Sequence, residues 1–150
     1  MFRRMLIVAT AAAMAGCATP PPRLDTPSGN PEVTIQGVAR KQVVDKIVDT
    51  LTARGMTMQK IDEYNVVAGK RAENDFSSQV LFGSRYDSVP EYRVSFTLIE
   101  RPPAVKVYAR VAIVTNPGSA FERPTDMTDQ QRGNLQDMLV RLQSSLPAGN

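Results

Sequence analysis

Cys17 is the only thiol in the sequence, and the chain contains no histidine. Losing histidine removes the commonest general base and metal ligand, and one cysteine alone cannot build an ordinary Cys/His zinc site. No Gly-x-Ser-x-Gly, Ser-x-x-Lys or phosphate-loop pattern occurs. Two carboxylate pairs remain, Asp62-Glu63 and Asp126/Asp129. Acid–base hydrolysis of the glycosidase type needs two carboxyls held at a set separation across a cleft. Asp62-Glu63 reads instead as part of a turn, and Asp126/Asp129 flank a helix start, where negative charge suits the helix dipole. Asn116-Pro117-Gly118-Ser119 places proline and glycine at the centre of a type II turn, and a bend after a strand accounts for it better than an anion nest. The side chains imply no cofactor, no metal and no catalytic set.

The surroundings of Cys17 explain why a lone thiol is present. Arg3 and Arg4 are followed by an apolar run from Met5 to Ala15, broken only by Thr10, and then by Gly16. A charged start, a short apolar core and small residues at a cut site describe a secretory signal peptide. The run, about 11 residues, is too short to span a bilayer. Read from the residues alone, this also fits a secreted protein with an unpaired thiol or a cytosolic chain with an apolar N-terminus. Met14-Ala15-Gly16-Cys17 resembles the lipobox of bacterial lipoproteins, with methionine in place of the more usual leucine. The resemblance implies cleavage before Cys17, lipidation of its sulfur and a stable membrane anchor through two or more acyl chains. Ala18, where an aspartate would resemble an inner-membrane retention signal, implies the outer membrane, with the periplasmic face as the expected side.

The division expected is therefore a signal peptide over residues 1–16, a lipidated cysteine and proline-rich tether over 17–32, and one domain over 33–150. The tether holds Pro20, Pro21, Pro22, Pro27 and Pro31, with Ser28, Gly29 and Asn30 between them. Extended, it would reach roughly 45 Å, and as a coil nearer 20 Å. The whole chain has 18 basic and 15 acidic side chains; without Arg3 and Arg4 the balance is 16 to 15. No basic run is present; Arg40-Lys41 and Lys70-Arg71 are only pairs. Nucleic-acid binding, which clusters Lys and Arg, is not expected.

Within the domain, Val44, Ile47, Val48 and Leu51 follow the i, i+3, i+4, i+7 pattern of an amphipathic helix over 40–54, closed by Gly55. A second helix starts at a Thr128/Gln131 capping box and carries Leu135, Met138, Leu139, Leu142 and Leu146 as its stripe, ending at Pro147. Between them the period is two. Tyr92, Val94, Phe96 and Leu98 share one face, as do Val105, Val107, Ala109, Val111 and Ile113. Arg101-Pro102-Pro103-Ala104 joins these runs into an antiparallel hairpin. Residues 56–61 and 66–71 form a weaker hairpin, and Val33–Gln36 add an edge strand. One apolar sheet face and two one-sided helices predict an α+β two-layer sandwich, an antiparallel four- to five-stranded sheet with both helices on one face. This resembles small helix-grip or TBP-like modules of envelope lipoproteins, including those of the outer-membrane assembly machinery, a likeness of fold that carries no function.

The function expected is that of a non-catalytic, lipid-anchored accessory or assembly component of an envelope complex, with an envelope protein as partner. The other reading is a lipoprotein that holds a lipid or peptidoglycan fragment between sheet and helices. In an antiparallel meander the turns at 62–65 and 101–104 share one end, so the 72–90 connection and the 116–127 loop share the other. That end brings Phe76, Phe82, Arg85 and Tyr86 together with Phe121 and Arg123, residue types that favour interface centres. The apolar residues of 72–90 either tuck into the core or bind a partner.

Overall fold

The computed structural model describes residues 24–72, 89–126 and 128–146. The element order is β1 (Glu32–Gln36), α1 (Arg40–Ala53), β2 (Thr57–Ile61), β3 (Asn65–Arg71), β4 (Glu91–Arg101), β5 (Ala104–Thr115), β6 (Arg123–Asp126) and α2 (Asp129–Ser145). The sheet is antiparallel in the order β1-β5-β4-β3-β2, with β6 also paired to β5. Helix α1 lies over β2 and β3, and α2 over β1 and β5. Both helices share one apolar layer with the sheet. The α+β two-layer arrangement expected from the periodicity is present.

The β4–β5 hairpin organises the core through the alternation that buries Phe96 and Leu98 on one strand and Val105, Val107 and Ala109 on the other. Phe96 faces Ala109 and Leu98 faces Val107 across the ladder, and all four side chains are buried. Above them α1 contributes Val43, Val44, Ile47 and Leu51, and α2 contributes Leu135, Met138, Leu139 and Leu142. The α1 stripe is rotated from the expected one: Val43 is fully buried, while Val48 packs at the margin. The helix stops as Gly55 (φ 70) donates to Thr52 O at 2.9 Å and Met56 donates to Leu51 O at 3.1 Å. That is the paired bonding of a Schellman cap, whose positive φ suits glycine. At the start of α2, Thr128 Oγ1 accepts from the Gln131 amide, and Gln131 Oε1 accepts from the Thr128 amide at 3.0 Å.

Strand β6 was not expected; residues 116–127 read as loop. All four of its residues are exposed and one is proline, so neither apolar alternation nor β propensity marks it. Proline is tolerated there because β6 pairs on one side only. The tether region also folds further than its composition suggests. Gly29 donates to Thr26 O at 2.9 Å, and Pro31 O accepts from the Ala109 amide at 2.9 Å.

Both sheet edges are guarded. Gln136 of α2 accepts from the Glu32 amide (2.8 Å) and donates to Glu32 O (3.1 Å), while Gln143 donates to Thr34 O (2.8 Å). These amides occupy backbone groups on the free side of β1. On the other edge, β2 has a register break between Met58 and Lys60. Bulges and edge lysines are the usual defences against strand addition.

Candidate functional site

The surface expected to contact a partner is the end of the sheet where β5 turns into β6. Phe76, Phe82, Arg85 and Tyr86 lie outside the described residues. Phe121 and Arg123 are described, and both are exposed, Phe121 at 74%. Its ring stands at the tip of a turn held from several directions.

The turn begins as the sequence predicts. Pro117 and Gly118 (φ 78) occupy its centre, and Ser119 donates its amide to Asn116 O at 3.2 Å. Asn116 itself takes φ 52, a conformation that asparagine tolerates better than most residues. The chain then tightens again: Phe121 donates its amide to Ser119 Oγ at 3.1 Å, and Glu122 donates to Ser119 O at 3.2 Å. Glu122 Oε2 accepts from the Gly118 amide at 2.8 Å.

Glu122 also ties this turn to the sheet. Arg93 of β4 gripsits carboxylate with both terminal nitrogens, at 2.5 and 3.2 Å, and donates Nε to Glu91 at 3.0 Å. Glu91 accepts in addition from Gln59 Nε2 at 2.7 Å. Gly69 makes room for this contact: a Cβ there would lie 2.5 Å from Gln59 Nε2 and 2.6 Å from the Glu91 carboxyl carbon. The electrostatics agree with the geometry. Hydrogen bonds from Arg93, then the Gly118 amide, hold Glu122 below the usual carboxylate range. Glu122, and after it Glu91, push the Arg93 guanidinium up. Two-pronged arginine–carboxylate bonding fixes direction as well as distance. Phe121 thus stands on a loop whose backbone is hydrogen-bonded within itself and tied to β4 through Glu122.

Arg93, Glu122, Glu91, Gln59 and Gly69 were not singled out from the sequence. They come from three strands and a loop, and only Glu91 and Arg93 are close in sequence. Arg93 alternates with the apolar face of β4, which marks it as facing away from the helices, but nothing in the sequence names its partner.

Each of the other candidate carboxylates has a partner within the fold. Asp62 accepts from the amides of Tyr64 (2.8 Å) and Asn65 (2.6 Å) and pairs with Lys60 at 2.9 Å. The Lys60 bond, followed by those amides, lowers its pKa to about 2. Glu63 pairs with Arg40 at 3.0 Å, and Asp126 pairs with Arg110. Asp129 opens α2, as its place beside the capping box implies. Among the described residues no group of three or more acidic, cysteine or histidine side chains is placed to hold a metal.

Near the opposite end of the sheet are three exposed apolar side chains that the sequence reading did not select. Ile61, Tyr64 and Ile99 are exposed at 52%, 51% and 38%. Arg40 stacks over the Tyr64 ring at 4.4 Å while bonding Glu63 and Glu100. Between sheet and helices, the void bounded by Ile47, Leu51, Phe96, Met138 and Leu142 is about 10 Å³, at the lower limit for a single water. No helix among the described residues is long and apolar enough to cross a membrane. No family model matches this chain, and no curated protein matches it either.

Proposed function

We propose that this protein is a non-catalytic lipoprotein of the outer membrane, anchored through Cys17, whose domain faces the periplasm and binds a protein partner in an envelope assembly. The observation that carries the reading is the placement of the only cysteine directly after Ala15-Gly16, at the end of a signal-type apolar run. From Cys17 to Thr26 the chain can extend at most about 30 Å, so an anchored domain stays close to the bilayer. The Phe121 turn supports the binding part of the reading. An aromatic side chain held out by a braced loop is suited to fill a pocket on a partner, the usual form of an interface hot spot. The small size of the void under the two helices favours this over a ligand held there.

The test replaces Cys17 by serine and separately Phe121 by alanine in the native envelope. Cys17→Ser is expected to abolish acyl labelling and release the protein from membranes. Phe121→Ala is expected to leave anchoring intact and to reduce crosslinked partner recovery. Retention of the serine variant in salt-washed membranes would refute the anchor; undiminished crosslinking of the alanine variant would refute the contact surface.

A further inference from the structure

Strands β1 and β6 lie end to end along the same edge of β5. The β1 pairing ends with Glu32 opposite Tyr108, and β6 ends with Asp126 opposite Ala112. Between them a groove of about 520 Å³ crosses the sheet edge, running from the face that carries Ser95 and Thr97 to Arg132 and Leu135 of α2. The volume falls within the span of small-molecule sites, roughly 300–1,000 Å³.

The lining selects a kind of ligand. Polar groups come from Ser95, Thr97, Arg110 and Asp126, and apolar surface from Pro31, Val111 and Leu135. The charges are matched within the protein: Arg110 with Asp126, and Arg132 with Asp129 at 3.9 Å. Nearby Lys106 is held by Glu32 at 3.1 Å and lies over the Tyr108 ring at 4.7 Å. An anionic ligand would have to compete with a carboxylate for each guanidinium. A purely apolar one would strip water from hydroxyls and charges without replacing its hydrogen bonds. A neutral ligand with many hydroxyls meets neither obstacle. Its hydroxyls can accept from Arg110 and donate to Asp126 at once, while its C–H face rests on Pro31, Val111 and Leu135. Arg110 and Asp126 keep 69% and 61% of their side-chain surface exposed, so both are open to such contacts.

We propose that this groove is a binding site for a neutral saccharide of about two sugar rings. The site is separate from the Phe121 turn and does not depend on the anchor.

The experiment follows backbone amide resonances of the full chain, held in a zwitterionic detergent free of sugar headgroups. The probes are N,N′-diacetylchitobiose, maltose and, as the charged comparison, inorganic phosphate. A neutral disaccharide is expected to give saturable shifts centred on Ala109, Arg110 and Val111. Arg110→Ala and Asp126→Ala should each weaken binding about tenfold, as the loss of one charge-assisted hydrogen bond would. Lys41→Ala, on the exposed side of α1, should leave it unchanged. Because the Arg110–Asp126 pair is exposed, both groove variants should keep the native spectrum elsewhere. The proposal is overturned if neither disaccharide gives saturable shifts, if those shifts persist undiminished in both groove variants, or if phosphate binds the same amides more tightly. The Phe121 crosslinking result is independent of every one of these outcomes.

Discussion

Replacing Arg93 by alanine tests whether the Phe121 turn is held by the sheet or merely rests beside it. The substitution removes two bonds to Glu122 and one to Glu91, leaving Glu91 with Gln59 as its remaining side-chain partner among these residues. The side chains of Arg93, Glu122 and Glu91 are 24%, 30% and 12% exposed. Such a network lies between exposed ion pairs, worth about 0.2–1 kcal/mol, and fully made charged hydrogen bonds, worth about 1.5–3 kcal/mol each. A total loss of about 3 kcal/mol follows, which lowers the melting temperature by roughly 10 °C in a domain of this size. Urea unfolding of Arg93→Ala, Glu122→Ala and the double variant should give a coupling of about 1–2 kcal/mol.

The pH dependence has a fixed sign. Glu122 has a lowered folded pKa, so its contribution is present above the unfolded carboxylate value, about 4.3, and is lost as pH falls through the folded value. The coupling should therefore shrink on acidification. Amide exchange at Gly118, Phe121 and Glu122 should also accelerate in Arg93→Ala beyond what the global loss requires. A coupling below about 0.3 kcal/mol at neutral pH, or one that grows as the pH is lowered, would refute the clamp.

Leu139→Ala should cost about 2–5 kcal/mol, since Leu139 is fully buried where α2 meets the sheet; a cost typical of surface sites, under about 0.5 kcal/mol, would remove that helix from the core. Asp62 should titrate near 2 by carboxyl-carbon NMR, and its stabilising effect, complete above the unfolded aspartate value of about 3.9, should fade as the pH falls from there through about 2. A midpoint near the ordinary aspartate value of about 3.9 would mean that the Lys60 and amide bonds do not form in solution.

Much of the architecture was legible in the sequence because it rests on local repetition. Alternation in 92–98 and 105–113, the leucine stripe after Thr128 and the glycine at 55 each state an element and its buried face within a few residues. The meander follows from the short turns at 62–65 and 101–104, which can only join antiparallel neighbours. The N-terminal pattern around Cys17 is likewise a local one, read as a short linear motif. Strand β6 was illegible because an exposed edge strand with a proline needs no apolar alternation; its pairing is supplied by β5. Rotation of α1 toward Val43 reflects how the helix settles on β2 and β3, which a helical period cannot resolve to one residue.

The site divides in the same way. Phe121 and Arg123 could be named in advance because residue type and a loop position suffice to nominate a contact. That Phe121 is held out rigidly depends on Arg93 meeting Glu122 across 29 positions of sequence, and on Gly69 leaving space for Gln59 to reach Glu91. The groove depends on β1 and β6 stopping short of each other along β5. Sequence alone determined where this chain turns, coils and alternates, because those are properties of neighbouring residues. Only the tertiary structure decided which charges meet and where the sheet edge opens, because those depend on strand register and on side chains far apart along the chain.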